Sequence, residues 1–113
     1  MASGDELLKE SNLRVTDATG GIIVQGASGH TMTVISISVC ETVGNAETFS
    51  IWRTILDGSS ELFYIYHTQS LPALATFIHN DKIILGATSE LWLGSPSGSA
   101  DIDVKVSYLD QEL

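Results

Sequence analysis

Between residues 100 and 108 every second position is apolar: Ala100, Ile102, Val104, Val106 and Tyr108 share one parity, and Asp101, Asp103, Lys105 and Ser107 share the other. A two-residue period is that of a strand with one buried face, so the first set is predicted inward and the second outward. Ile35, Ile37 and Val39 alternate with Ser36 and Ser38 in the same way, while Met32 and Val34 sit on the opposite parity. One inserted residue reconciles the two phases, which predicts a bulge or bend near Val34 and Ile35. Shorter apolar runs occupy 13–16, 22–25, 47–56, 62–68, 74–78, 83–86 and 90–94, separated by Gly-, Asn-, Ser- and Pro-containing turns. Asp57-Gly58 is the sharpest hairpin signal among them.

The pattern predicts an all-β domain, an antiparallel jelly-roll-like sandwich of about eight short strands. Its inward faces are expected from Val24, Ile35, Ile37, Val39, Phe49, Ile51, Phe63, Ile65, Ile83, Leu85, Ile102, Val104 and Val106. Residues 1–12 read differently. Ser3 and Glu6 have capping-box spacing, and Leu7-Leu8-Lys9-Glu10 suit one or two helical turns. So short a helix needs its leucines docked. Residues 1–12 are therefore expected as an N-terminal arm, reaching a neighbour or frayed, ahead of a sandwich over 13–113.

If Phe49, Ile51, Phe63 and Ile65 face inward, Trp52, Tyr64 and Tyr66 face outward on neighbouring strands. Trp92 joins them, because Leu91 and Leu93 compete with it for the core. Exposed aromatic area marks contact, so these rings, with Leu7 and Leu8 of the arm, are the expected interface residues. Cover by a loop or the arm, and a sugar-stacking platform, are the alternatives. A homo-oligomer buries such surface through symmetry and protects sheet edges as well.

Charge narrows the partners. Fourteen acidic against five basic residues give a net charge of -9, and no Lys/Arg cluster is present. Direct nucleic-acid contact is not expected. No apolar stretch approaches membrane-span length, and residues 1–6 lack the features of a signal peptide, so synthesis in a cytoplasm is expected.

Candidate chemistry is sparse. His30, His67 and His79 occupy separate segments, His30 and His79 being read as loop residues and His67 as a sheet-end or interface residue. Asp101 and Asp103 share one strand side, but Lys105 continues their row, which reads as an outer face. The lone Cys40 reads as buried filler, and no phosphate-binding loop or nucleophile elbow is present. No enzyme, metal or cofactor is expected.

The segment Thr31-Met32-Thr33-Val34-Ile35-Ser36-Ile37-Ser38-Val39-Cys40-Glu41, followed by Gly44-Asn45-Ala46-Glu47-Thr48-Phe49-Ser50-Ile51, then Phe63-Tyr64-Ile65, Ile83-Ile84-Leu85 and Ile102-Asp103-Val104-Lys105-Val106, resembles the small β-sandwich structural proteins of tailed bacteriophages. The resemblance spans roughly residues 20–108. It implies a virion location and adhesion to copies of itself and to other virion proteins, as capsid cement or decoration or in the neck or tail. A glycan or cell-surface binding module is the alternative.

Overall fold

The computed structural model describes residues 5–16, 20–55, 61–95 and 101–112. They form nine strands: β1 (Asp5–Val15), β2 (Gly21–Gln25), β3 (His30–Glu41), β4 (Glu47–Ile55), β5 (Glu61–Leu71), β6 (Thr76–His79), β7 (Ile83–Leu85), β8 (Ser89–Gly94) and β9 (Ile102–Glu112). One sheet runs β1-β9-β3-β6, with β7 also on β3; the other runs β2-β8-β4-β5. All pairings are antiparallel. This is the strand order of a jelly-roll sandwich in which the last edge position of the first sheet is split between β6 and β7.

The alternating pattern is realised in β9, where Ile102, Val104 and Val106 are buried and Lys105 is exposed. Their side chains meet Val34, Ile37 and Val39 of β3 and Phe49, Ile51, Leu91 and Leu93 of the second sheet in one core. The expected bulge in β3 is present as a register shift between Val34 and Ser36. It keeps Val34 and Ile37 inward, three residues apart, and turns Ile35 outward, 40% exposed. Ile35 is therefore not a core residue. Phe63 is likewise 46% exposed, on the side of the sheet shared with Arg53.

In place of the helical turn expected at Leu7-Leu8-Lys9-Glu10, residues 5–15 pair continuously with β9, from Asp5 opposite Glu112 to Val15 opposite Ile102. Eleven paired residues satisfy the backbone along a ready-made edge, whereas four residues of helix carry the nucleation cost without return. The segment runs without interruption across residues 12 and 13. The Asp57-Gly58 turn lies outside the described residues, though β4 and β5 pair up to Ile55 opposite Glu61.

Two buried carboxylates hold the ends of the sandwich. Glu41, 1% exposed, accepts backbone N–H groups from Val43 (3.0 Å), Gly44 (2.7 Å) and Leu74 (2.9 Å), tying two loops to one strand end. The Leu74 amide first, then those of Val43 and Gly44, hold its carboxyl below the ordinary range. Asp110 is 5% exposed and accepts from Lys9 Nζ (2.8 Å) and His30 Nδ1 (2.7 Å). Its carboxyl is also held low, by Lys9 and then by His30. It joins β1, β9 and β3 at their far end, so His30 belongs to this knot at the start of β3.

Candidate functional site

Register alone assembles a row of rings on the outer face of the second sheet. Trp52 of β4 stands opposite Trp92 of β8 on one side and Tyr64 of β5 on the other, and Trp92 stands opposite Ile22 of β2. The strand neighbours of the two tryptophans, Ile51, Leu91 and Leu93, are fully buried, which leaves Trp52 and Trp92 outward by alternation. The tryptophan rings are stacked, 6.1 Å between centroids and 9° between planes. Tyr64 meets Trp52 edge-on at 6.1 Å, and His67 lies against Tyr64 at 4.2 Å. Glu90 accepts from Trp92 Nε1 (3.2 Å) and Thr54 Oγ1 (3.3 Å), which fixes the orientation of the Trp92 indole.

Tyr66 does not join this row. Two residues apart on a regular strand, Tyr64 and Tyr66 would share a face. Between them the register of β5 shifts: Ile51 is opposite Tyr66 but Trp52 is opposite Tyr64, so Ile65 is inserted. The bulge turns Tyr66 inward against Phe49 and Phe77. Its hydroxyl hydrogen-bonds His79 Nδ1 at 2.7 Å, linking edge strands β5 and β6 of the two sheets. Burial pushes the Tyr66 phenol pKa up. His79, expected in a loop, is 6% exposed at the end of β6.

A second shift, between Phe49 and Ile51, inserts another residue near His67 and Thr68. Thr68 has a φ of 55°, an unusual conformation for a β-branched residue, and its amide donates to Ser50 Oγ at 2.9 Å. A groove of about 190 Å³ opens here beside Trp52 and Tyr64, with His67, Thr68, Ser50 and Ser95 along it.

The outer face of the first sheet is different. Leu8 stands opposite Leu109, Leu109 opposite Thr33, and Thr33 opposite Ile84, a cross-strand row over four strands. Leu8 is 73% and Ile84 59% exposed, with the bulged Ile35 alongside and Ile78 farther along the face at 58%. Leu7 alternates to the other side, opposite Asp110, and is also exposed. From the sequence Leu8 is expected in an arm and Ile35 in the core, and nothing in the pattern groups Ile78 and Ile84 with them, because their register neighbours lie far away in the chain. Cys40 belongs to this outer face too, half-buried opposite Asp103, and so is not core filler.

Asp103 is engaged by Arg14 through two bonds of 2.7 and 3.2 Å, which hold its carboxyl low. Among the described residues, no three His, Cys, Asp or Glu side chains are grouped to hold a metal ion.

No protein-family model matches the chain, and no curated protein is similar to it in sequence. Its fold is similar to that of the subunit of Bacillus endospore appendages, described as disulfide-linked pili (TM-score 0.55, 10% identity, 99% of this chain and 92% of the other). It is also similar to the Drosophila NLP core, described in terms of pentamer formation and histone binding (TM-score 0.55, 13% identity, 88% and 97%). A looser similarity is to the capsid structure of Helicobacter pylori bacteriophage KHP30 (TM-score 0.49, 14% identity, 96% and 92%). At these identities the likeness is one of fold: a jelly-roll sandwich.

Proposed function

We propose that this chain is a non-catalytic structural subunit of a phage virion, repeated in an assembly as capsid cement or decoration or as a neck or tail component. The supporting observation is the aliphatic row Leu8–Leu109–Thr33–Ile84 with Ile35 on the outer face of the first sheet. Apolar groups gathered on one face gain by leaving water, and a flat aliphatic surface is matched by another protein surface. The occupant we assign is a second copy of the chain, with other virion proteins beyond it. The sequence resemblance of residues 20–108 supports the virion as its place. The net charge of -9 favours orderly contact over indiscriminate aggregation.

Light scattering over a concentration series, together with binding to phage particles, tests the proposal. The wild-type chain is expected to form defined higher-mass species or to bind particles, and Leu8→Asp combined with Ile84→Asp is expected to abolish both. A wild-type chain that stays monomeric at every concentration and binds no particle overturns the proposal.

A further inference from the structure

The aromatic row and the groove beside it have a different chemistry from the aliphatic face, and assembly through Leu8 and Ile84 leaves them uncovered. We propose that this groove is a binding site for a neutral pyranose ring, such as an uncharged hexose of a surface glycan. A sugar ring offers a patch of C–H bonds on one side and hydroxyls around its rim, so its site needs aromatic rings beside hydrogen-bonding groups. The groove supplies both.

Trp52, Tyr64 and His67 bring rings, and the Trp52 indole is steadied by the stacked Trp92, itself anchored through Glu90. Ser50 and Thr68 bring hydroxyls, while the buried Ser95 spends its proton on the Thr48 carbonyl at 2.7 Å. Ser50 Oγ accepts the Thr68 amide, which leaves its own proton to donate to a ligand oxygen. Gly94, opposite Ser50, adds no side chain to the wall.

Size and charge select the ligand. At about 190 Å³ the groove is smaller than the several-hundred-Å³ pockets of drug-sized ligands, so it takes one ring rather than enclosing a chain. No lysine, arginine or carboxylate lines it among the described residues. On a chain of net charge -9, an acidic sugar would meet repulsion with no compensating cation. Two register shifts and the strained Thr68 fall beside the groove, on strands that pair regularly elsewhere, and bulges commonly re-aim side chains at binding sites.

The test is tryptophan fluorescence and saturation-transfer NMR with glucose, galactose, mannose and N-acetylglucosamine, using glucuronic and sialic acids as charged controls. Saturable binding of at least one neutral sugar in the millimolar range is expected, with little response to the acids. Trp52→Ala is expected to weaken it by about tenfold or more, the scale of one lost aromatic contact. Tyr64→Ala, at a ring 51% exposed, gives a second reading in a variant that should keep its fold. No saturable response to any neutral sugar overturns the proposal, as does a response unchanged in both variants. Loss of self-association in Trp52→Ala also overturns it, because the row would then be covered by protein. Leu8→Asp with Ile84→Asp should bind sugar as the wild type does, so failure of the assembly reading and failure of this one are distinguishable.

Discussion

The two outer faces of this sandwich are built from the same kind of strand, over the same core, yet they carry unlike surfaces. On the first sheet, Leu8, Leu109 and Ile84 make an aliphatic row; on the second, Trp92, Trp52 and Tyr64 make an aromatic one. The first face sets its aliphatic row beside ion pairs of Arg14 with Asp103 and Lys105 with Glu10, and that mixture of apolar and charged groups suits another protein. The second combines rings, hydroxyls and a groove broken into the strand by bulges, which suits a small hydroxylated ligand. Neither row is contiguous in sequence. Each is made by register, one residue from each strand.

The largest effect is expected where both faces depend on the same support. Phe49 is fully buried and touches Tyr66 and Phe77. Phe49→Ala should cost about 3–5 kcal/mol in urea unfolding, and self-association and sugar binding should be lost together. Retention of either function in an unfolded variant would break the link between face and fold.

A smaller effect separates two tyrosines of one strand. Tyr66→Phe removes the bond to buried His79 and should cost about 1–3 kcal/mol, whereas Tyr64→Phe should stay within about 0.5 kcal/mol. Equal costs would contradict the bulge at Ile65.

Acid should weaken the scaffold beneath both faces. Glu41 and Asp110 both have folded pKa values depressed below the unfolded ones. Their stabilisation is therefore fully present above the unfolded pKa and is lost as pH falls through the folded values. Thermal melts should show Glu41→Gln less stable than wild type at neutral pH, with a shallower decline on acidification; parallel curves would exclude Glu41 as a contributor.

The smallest stability effects are expected at the faces themselves. Leu8→Asp and Ile84→Asp should each shift unfolding by no more than about 0.5 kcal/mol while changing the mass in solution. A large loss of stability would show that these side chains support the monomer rather than a contact.

Much of the architecture was legible because alternation has a direct physical cause. The inward set of β9, the bulge near Val34 and the outward aim of Trp52, Tyr64 and Trp92 followed from a period of two and a core with limited room. Leu7 to Glu10 misled, because local helix signals say nothing about the β9 edge that captures them. Tyr66 misled for a related reason: the insertion at Ile65 leaves no mark in the residue pattern. His79 looked like an ordinary loop residue and nothing in the pattern marks Glu41, since the Tyr66 hydroxyl and the Leu74 amide that engage them come from other segments.

The sequence by itself determined that this chain is a β-sandwich, because repeated alternation leaves each strand only one face to bury. It also determined that aromatic rings would remain outside once that core was full. Tertiary structure decided which rings meet, that Tyr66 turns inward, and that Leu8 and Ile84 share a row. Those outcomes depend on which strands pair and on where one strand carries an extra residue, and a one-residue shift in pairing moves a side chain from solvent to core.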